Sequence, residues 1–440
     1  MTAGATLGVQ APTVGGAFAS IDRWLDTMRG SSGYGGPVAH WWRDSLAFCG
    51  AGLDWRYEGI IAGYLAAYER DGSTVWLDKA RRAGEDLVSG QRPDGHFRDS
   101  RFELNPGPAG TPHEAAADVG LLLLARALRR RGDDGWARYL AAADLNLRRF
   151  ALDCLWDADA GRFRDGIGIP SFVPNKSATI IEALCLLAEL TGASELLERY
   201  VRPTADAILA LQVRAAGSPL NGAIAQNVLG RTTVEKYLPY YQARCATGLL
   251  AAYDYLGDAR YLDGAIRAMT FVRRRRDADG AFPMVVYADG RENRFPRLVA
   301  ATGDILRAAD LLRPHGLDFP AEPTLGWLLR GRLPSGGIAT AHGFAAQVRQ
   351  HGQPARELRD VLPVCGWDDK AFRYLAGRPD LGEGDEPGAD LDHACTFRGR
   401  VVTLSEDATS IVVRQRGAPI YRWTKGTPWA EVRAGWAVTA

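Results

Sequence analysis

A repeat of about 60 residues restricts the folds open to this chain more than any other sequence feature. Pairs of apolar helical patterns, joined by Gly- and Asp-rich turns, recur along the middle of the sequence. Their first members begin at intervals of roughly 57 to 63 residues. The predicted hairpins are 56–72 with 74–91, 113–131 with 134–154, 176–191 with 194–213, 235–256 with 258–276, and 297–313 with 323–331.

A helical hairpin cannot bury both of its apolar faces alone. Successive hairpins are therefore expected to pack side by side and close into a ring, with first helices inside and second helices outside. Residues 18–50 contain one more predicted helix and the aromatic sequence His40-Trp41-Trp42, which would complete the ring. The sequence predicts an all-α fold of five to six helical hairpins.

The two ends of the chain differ from this pattern. Residues 1–17 are predicted to be a flexible N-terminus, and residues 18–376 are predicted to form the ring. A Gly/Pro/acidic loop is predicted at 377–396. Residues 397–440 are predicted to form a small antiparallel β appendage packed on the ring, with strands at 397–404, 409–415 and 418–424.

Composition limits the cellular context and the partners. The formal net charge is +1, from 53 basic and 52 acidic residues, so we expect no bulk attraction to nucleic acid or to a membrane. No signal peptide or 18-residue apolar segment is found, and we expect a cytoplasmic protein. The cysteines are scattered without metal-binding spacing and are interpreted as reduced packing residues: Cys49, Cys154, Cys185, Cys245, Cys365 and Cys395.

Charged and aromatic residues cluster where the first helices are predicted to begin. In a ring these starts share one rim, so residues far apart in sequence are expected to converge on a pocket. Only five of the 53 basic residues are lysines, and three of the five fall in these clusters. The clusters contain Trp55 and Glu58; His113 and Glu114; Asn175 and Lys176; Glu235, Lys236, Tyr240, Tyr241 and Arg244; Arg297 and Asp304; and Trp367, Asp368, Asp369 and Lys370.

Structural interpretations compete with functional ones at several of these positions. Thr111-Pro112-His113-Glu114 is a good helix start and needs no function to explain it. A lysine at a helix N-terminus opposes the helix dipole, so Lys176 and Lys236 indicate an anionic ligand or a neighbouring carboxylate. His342 is a further candidate acid or base, although a lone histidine is more often structural.

The sequence lacks the motifs of several common enzyme chemistries. The sequence contains no Walker A loop, no glycine-rich dinucleotide fingerprint, no HExxH metal signature and no serine nucleophile elbow. We therefore expect no cofactor, while a metal held by carboxylates such as Asp368 and Asp369 stays open.

The repeat and the polar rim resemble those of the six-hairpin, (α/α)6-toroid carbohydrate-active enzymes. These include glycoside hydrolases, unsaturated-uronide hydrolases, sugar 2-epimerases and polysaccharide lyases, and the resemblance covers roughly residues 18–376. Residues 91–97, QRPDGHF, more weakly resemble the QxxxGxW repeat of squalene-cyclase-like toroids, with Phe97 in place of Trp. The acidic DxDD motif of those cyclases is missing, because Gly366 precedes Trp367-Asp368-Asp369.

The resemblance implies a glycoside hydrolase that acts on an anionic, uronide-like sugar or oligosaccharide. Hydrolysis of this kind needs one protonated and one ionised carboxyl group. Glu58, next to Trp55 and Tyr57, is the predicted acid, Asp304 is the predicted base, and Glu114 is a third candidate. The lysines and Arg244 would hold the substrate's charge, and Trp55, Trp367 and the two tyrosines would stack on sugar rings.

The sequence leaves four other interpretations open. A lyase would use Tyr240 or Tyr241 as base and acid, with Asn175 and a cation neutralising the substrate carboxylate. A sugar epimerase is a further alternative on the same fold. An isoprenoid or natural-product cyclase would use the aromatic residues to stabilise carbocations, and a non-catalytic helical scaffold would need no such clusters.

Overall fold

The computed structural model describes residues 13–38, 47–49, 52–97, 110–344, 357–362, 365–378, 391–427 and 430–433. Helices dominate these residues, as predicted. They are α1 (Val14–Met28), α2 (Arg56–Asp71), α3 (Thr74–Gly90), α4 (Ala115–Arg130), α5 (Trp136–Asn146), α6 (Pro174–Thr191), α7 (Arg202–Ala210), α8 (Pro239–Leu256), α9 (Ala259–Arg274), α10 (Thr302–Leu312), α11 (Glu322–Arg330), α12 (Leu358–Val361) and α13 (Cys365–Ala376). Short 3₁₀ turns cover Pro112–Glu114 and Arg313–His315, and π-helical segments cover Leu147–Leu155 and Leu197–Val201.

Six helices form a closed inner ring. In order around the ring they are α2, α4, α6, α8, α10 and α13, and each packs against the next. The helices α3, α5, α7, α9 and α11 follow them in the chain as outer partners. The ring of hairpins predicted from the repeat is therefore confirmed.

The sixth hairpin joins the two ends of the ring. The inner helix α13 packs against α1, so the outer partner comes from the start of the chain. The first turn of α1 is buried, with Val14 8% and Ala17 0% exposed, and Thr13 caps it by accepting from the Gly16 N–H. The predicted flexible N-terminus, residues 1–17, therefore extends too far. His40, Trp41 and Trp42 lie outside the described residues.

Proline and glycine set the ends of the inner helices. Pro174 and Pro239 occupy the first turns of α6 and α8, where a missing N–H costs nothing. Gly192 and Gly257 end the same helices at φ values of 78° and 70°, which side-chain-bearing residues rarely adopt. The two helices are apolar nearly all round because the ring surrounds them.

Two glycines bring α13 close to its neighbours in the ring. A Cβ atom at Gly59 of α2 would lie 2.4 Å from Asp369 Oδ2, and one at Gly303 of α10 would lie 2.3 Å from the carbonyl oxygen of Lys370. Glycine is thus required at both helix contacts. These contacts fix the first turns of α13 against the starts of α2 and α10.

Two of the predicted inner helices begin later than the pattern indicated. Residues 235–238 and 297–301 precede α8 and α10 instead of belonging to them, because short strands and the N1 proline Pro239 end the extended segments there. Strand β10 (Lys236–Tyr237) precedes α8, and β13 (Arg297–Leu298) precedes α10. This shift moves three predicted site residues away from the helix starts.

Short antiparallel strands connect the hairpins. They are β1 (Arg29–Gly30), β2 (Gly33–Tyr34), β3 (Gly36–Val38), β4 (Ala47–Cys49), β5 (Trp156–Asp157), β6 (Arg162–Phe163), β7 (Ser171–Phe172), β8 (Asn227–Leu229), β9 (Thr232–Val234), β10, β11 (Val285–Tyr287), β12 (Glu292–Asn293), β13 and β14 (Ala341–His342). They pair locally, for example β10 with β11 and β13 with β14.

The β appendage is an antiparallel sheet in the order of the chain. Its strands are β15 (Leu391–Phe397), β16 (Arg400–Glu406), β17 (Ser410–Gln415), β18 (Ala418–Thr424) and β19 (Ala430–Val432). Strand β15 was not predicted, because its residues 391–396 lie in the predicted Gly/Pro/acidic loop. Its inward positions include Cys395 and His393, which weaken the apolar alternation of a strand.

The appendage is tied to the ring through a buried hydrogen bond. The Trp24 indole N–H of α1 donates to Glu406 Oε1 at 2.9 Å, and Lys425 Nζ lies 2.9 Å from the same oxygen. We expect Trp24→Phe to lower the free energy of unfolding by about 1.5–3 kcal/mol, the range for hydrogen bonds to charged groups. Urea denaturation measures this loss.

Trp76→Phe is the matched control for this prediction. The Trp76 indole N–H also binds a carboxylate, Asp71, but at an exposed position, so its loss should cost much less. Equal losses for the two variants would contradict a stabilising role of the Trp24 hydrogen bond.

Candidate functional site

The starts of the six inner helices surround one cavity. Each helix contributes side chains from its first turns or from the residues just before them. The cavity has a volume of about 120 Å³. A buried water needs about 10–15 Å³ of such space, so the cavity accommodates roughly one sugar-sized ring. Its lining residues are Trp55, His113, Asn175, Lys176, Tyr240, Tyr241, Arg244, Ala301, Asp304, Trp367 and Lys370.

Aromatic rings form one wall of the cavity. The rings of Trp55 and Trp367 lie 5.3 Å apart between centroids, and His113 meets Trp55 edge to face at 5.8 Å. Lys370 Nζ lies 4.7 Å from the centre of the Trp55 ring, which is within range of a cation–π interaction. This wall offers flat apolar surface next to a positive charge.

A network of buried charges lies under the cavity. Glu58 Oε1 accepts from Arg244 Nη1 at 2.7 Å and from Arg373 Nη1 at 2.5 Å. Arg373 Nη2 donates to Asp304 Oδ1 at 2.5 Å, so one guanidinium joins the two carboxylates. Residues from α2, α8, α10 and α13 meet in this network.

Glu58 is ionised, so the predicted role as a protonated acid is wrong. Burial alone would raise its pKa, but the guanidinium groups of Arg244 and Arg373 hold the pKa well below its usual range. Glu58 also does not line the cavity. The neighbouring Tyr57 points away and donates to Asp86, so it provides no apolar setting for the carboxyl group.

Asp304 is the only carboxylate among the described residues that line the cavity. Burial would raise its pKa, but Arg373, Lys370 and Arg244 lower it below the usual value. Asp304 is therefore ionised, as a base would be. The described part of the cavity thus lacks a second lining carboxyl group.

Three cationic side chains face the cavity. Lys176 Nζ lies 2.9 Å from Asp165 Oδ1, and Lys370 Nζ lies 3.0 Å from Asp369 Oδ2. The neighbouring carboxylate that the sequence analysis considered for Lys176 therefore exists. Arg244 donates from Nε to Thr179 Oγ1 at 2.9 Å, while its buried Nη2 has no hydrogen-bond partner among the described residues.

His113 is a neutral imidazole. Burial lowers its pKa well below the usual range, and the nearby charges of Lys370, Arg244 and Lys176 lower it further, against a smaller opposing effect of Glu58. A neutral histidine can accept a proton. The 3₁₀ turn before α4 holds it at the cavity, with the Thr111 hydroxyl accepting from the His113 backbone N–H.

The two adjacent tyrosines differ in environment. The Tyr240 hydroxyl lies within hydrogen-bonding distance of the carbonyl oxygens of Phe282 and Leu298, and burial raises its pKa. Tyr240 therefore fixes the start of α8 to the loops around it. Tyr241 lines the cavity and is more exposed.

Glu114 is placed away from the cavity. Its Oε2 lies 2.9 Å from His96 Nε2, and its side chain is 28% exposed. A Cβ atom at Gly110 would lie 2.1 Å from Glu114 Oε2, so the carboxylate packs against the backbone there. Thr111 caps this helix start, while the Glu114 carboxylate contacts His96, and a catalytic role for Glu114 stays a prediction.

Glu235 and Lys236 are exposed on the segment before α8 and do not line the cavity. Their predicted positions assumed that the helix begins at 235. Because Lys236 belongs to β10, which pairs with β11, it does not lie at a helix N-terminus.

Arg297 and His342 form a separate cluster on the paired strands β13 and β14. Arg297 Nη2 donates to Asp279 Oδ1 at 2.5 Å, and its guanidinium lies 4.6 Å from the Trp327 ring centre. His342 meets the same ring edge to face at 5.7 Å. Neither side chain lines the cavity.

Asp368 and Asp369 are fully buried and also do not line the cavity. Asp368 Oδ2 accepts from the Ile338 N–H at 3.1 Å, and burial raises its pKa well above the usual range. Burial raises the pKa of Asp369 to about 7, against the lowering effect of Lys370. No group of three or more His, Cys, Asp or Glu residues in the described ranges could hold a metal ion.

Several charged residues beneath the cavity were not predicted from the sequence. Arg373 was not singled out, although it lies three residues after Lys370 and thus on the same face of α13. Glu182 and Arg307 were also missed; Glu182 Oε1 accepts from Thr247 at 2.5 Å and lies 3.5 Å from Arg244. Their partners lie on other helices of the ring, which the repeat alone does not pair.

Comparisons with known proteins identify the fold. The sequence matches no protein-family model and no curated protein. The unsaturated glucuronyl hydrolase of Bacillus sp. GL1 is 18% identical, covering 82% of this chain and 94% of that chain, with a TM-score of 0.57. Cellobiose 2-epimerase of Bacillus thermoamylovorans B4167 is 12% identical, covering 82% of this chain and 98% of that chain, with a TM-score of 0.60.

Within the described ranges, no helix has the length and apolarity to cross a membrane.

A polysaccharide lyase is 10% identical, covering 75% of this chain and 91% of that chain, with a TM-score of 0.52. At these identities the similarity concerns the backbone only. This chain has the (α/α)6-toroid fold that these carbohydrate-active enzymes share.

Proposed function

We propose that this chain is a glycan-processing enzyme that acts on an acidic, uronide-like saccharide as a lyase. The observation that carries the proposal is the composition of the cavity. Three cationic side chains and a neutral His113 face it, while Asp304 is the one carboxylate lining its described part. Elimination next to a carboxylate needs a base and neutralising cations, whereas glycoside hydrolysis needs two carboxyl groups.

The same residues support an acidic saccharide as substrate. Trp55 and Trp367 offer flat faces for a sugar ring, and Asn175 offers both a donor and an acceptor for hydroxyl groups. The buried Arg244 Nη2 has no hydrogen-bond partner among the described residues, and a guanidinium N–H is suited to a carboxylate oxygen. A cavity of about 120 Å³ suits one ring of the substrate at a time.

The proposed reaction begins at the carbon next to the substrate carboxylate. Lys176, Lys370 and Arg244 stabilise the negative charge that develops on the carboxylate when the adjacent C–H bond breaks. His113 accepts that proton. A carbon–carbon double bond forms as the neighbouring C–O bond breaks, and Tyr241 donates a proton to the departing oxygen. No water is consumed.

Substrate binding strengthens the proposed base. The pKa of His113 is lowered first by burial and then by the three cations of the cavity. A bound carboxylate offsets those cations, so the pKa of His113 rises when the substrate is present. The histidine is therefore neutral before binding and more basic afterwards.

Hydrolysis is the second candidate function, with Asp369 as its supporting observation. The pKa of Asp369 is about 7, which suits a proton donor, and Asp304 is ionised, which suits a base. Asp369 lies behind Lys370 and does not line the cavity, so it would have to reach the substrate by a side-chain movement. We therefore favour elimination.

A comparison of two lysines tests the acidic substrate. We expect Lys176→Met to weaken binding of D-glucuronate by about tenfold, because the substrate carboxylate loses a charged partner. Lys236→Met is the matched control and should leave the affinity unchanged, because Lys236 does not line the cavity. Quenching of Trp55 and Trp367 fluorescence reports binding. Tighter binding of D-glucose than of D-glucuronate would contradict the acidic substrate.

A further inference from the structure

Arginines cluster at one end of the β appendage. Two-residue turns, Arg398-Gly399 and Arg416-Gly417, join β15 to β16 and β17 to β18. The five strands follow chain order, so both turns lie at the same end of the sheet. Arg433 reaches this end too, because its N–H donates to the carbonyl oxygen of Ile420, near the start of β18.

Three arginines at this end of the sheet line one groove. Arg400, Arg416 and Arg433 line a groove of about 820 Å³ together with Val401, whose exposed fraction is 71%, and Gln415. Among the described residues that line the groove, none is acidic.

Acidic residues of the same sheet do not line the groove, although Glu431 lies two residues before Arg433 in the chain and faces Arg422. Asp392 pairs with Ser405 in the register, at the opposite end of β15 and β16 from Arg398. Three arginines thus line the groove, against no acidic residue among its described lining residues. The groove therefore concentrates positive charge on a chain whose formal net charge is only +1.

The backbone conformation of the two turns is unfavourable for arginine. Arg398 and Arg416 both have a φ of 50°, in the left-handed region. The first position of such a two-residue hairpin turn favours Asn, Asp or Gly. Backbone conformation does not explain arginine at either position, and strained positions of this kind point to a role for the side chain.

We propose that this arginine groove, formed by Arg400, Arg416 and Arg433, binds an anionic polysaccharide and holds the polymer on the enzyme. The choice of polyanion rests on the proposed function, since the cavity's cations select an acidic sugar. Arginine binds carboxylates through two parallel hydrogen bonds, and the Gln415 amide suits sugar hydroxyl groups. Carboxylates that recur along a polyuronate can reach several arginines of the groove at once.

Binding of polygalacturonate tests this site, with dextran as the neutral control polymer. The double variant Arg416→Asn/Arg433→Gln is expected to bind polygalacturonate about tenfold more weakly, since each exposed ionic contact contributes up to a factor of about five. Its affinity should also depend less steeply on salt. Arg291→Gln, on the ring, is the control and should bind normally. Unchanged affinity of the double variant would overturn the proposal.

The single variant Arg416→Asn gives a second readout. Asparagine suits a positive φ, so this variant should melt at the wild-type temperature or above while it binds polygalacturonate more weakly. Arg416→Lys should keep most of the affinity because it keeps the charge. Tighter binding of DNA or phosphatidylserine vesicles than of polygalacturonate would also overturn the proposal.

The inference and the proposed function can fail separately. Polygalacturonate binding should persist in a His113→Gln variant, because the groove is distinct from the cavity. If binding depends on Arg416 but no uronide is converted, the proposed reaction fails and the groove stands. If uronides are converted but polymer binding does not depend on Arg416, only the groove is overturned.

Discussion

Replacing Arg373 with methionine is expected to lower the free energy of unfolding by about 3–5 kcal/mol, the cost of leaving buried charge without its partner. Arg373 holds both Glu58 and Asp304, and Glu58 is 1% exposed. Its removal leaves two neighbouring carboxylates with less positive charge. Urea denaturation at pH 7 measures the loss, and Arg148→Met, which removes an exposed pair with Asp144, should cost less than about 1 kcal/mol.

The pH dependence of this loss follows from the pKa of Glu58. In the wild type this pKa is lowered, so the ion pairs stabilise the fold above the unfolded-state pKa of about 4.3 and lose that effect as the pH falls further. In Arg373→Met we expect burial to raise the pKa of Glu58. Lowering the pH should then protonate Glu58 and remove part of the destabilisation that its buried charge causes. The stability difference should therefore narrow as the pH is lowered from 7 to 4.

A double-mutant cycle checks the cause of the effect. Glu58→Gln introduced into Arg373→Met should recover part of the lost stability, because it removes one of the two carboxylates that then share less positive charge. The account is contradicted if Arg373→Met lowers the free energy of unfolding by less than about 1 kcal/mol. It is also contradicted if the losses of Arg373→Met and Glu58→Gln simply add in the double variant, because the charge network would then not hold the inner helices together.

His113→Gln is expected to lower kcat/KM on a uronide oligosaccharide by about a hundredfold to ten-thousandfold, the range for loss of a general base. Glutamine keeps a polar side chain of similar length but cannot accept the proton as imidazole does. The melting temperature should change little. His342→Gln is the matched control and should retain activity, since His342 does not line the cavity.

The pH profiles of the wild type give a further test of His113. Its pKa in the free enzyme is well below the usual value of about 6.5, so the acidic limb of kcat/KM that it causes should lie below that pH. The bound carboxylate offsets the neighbouring cations and raises this pKa. The acidic limb of kcat should therefore lie at a higher pH than that of kcat/KM, and the reverse order would contradict the proposed base.

Local sequence patterns predicted the ring and its rim because both are set by periodicity. Apolar spacing marked the inner and outer helices, and polar residues at inner-helix starts marked the rim on which the cavity lies. Trp55, Lys176, Asp304 and Lys370 were found in this way. The sixth hairpin was less visible, because its two helices lie at opposite ends of the chain.

Helix boundaries caused some of the errors at the site. Lys236 and Arg297 carried the polar signal of a helix start, but β10 and β13 occupy those positions. A shift of four or five residues at a helix start is enough to move a side chain from the cavity to the outer loops.

Long-range pairing caused the error at Glu58. Its aromatic neighbours in sequence suggested an apolar setting, yet its hydrogen-bond partners, Arg244 and Arg373, are 186 and 315 residues away. A periodic pattern shows which face of a helix points inwards but not which charges meet there. Arg244 and Arg373 together lower the pKa of Glu58, and Arg373, which also contacts Asp304, lowers the pKa of that carboxyl group.

The masses of the products test the proposed reaction most directly. A uronide oligosaccharide is incubated with the enzyme, and the product masses are compared with the substrate mass, with His113→Gln as the inactive control. Elimination predicts two products whose masses sum to that of the substrate, one of them absorbing ultraviolet light through its new double bond. A sum that exceeds the substrate mass by one water would show hydrolysis, and a cleaved or uncleaved substrate without any unsaturated product would contradict the lyase.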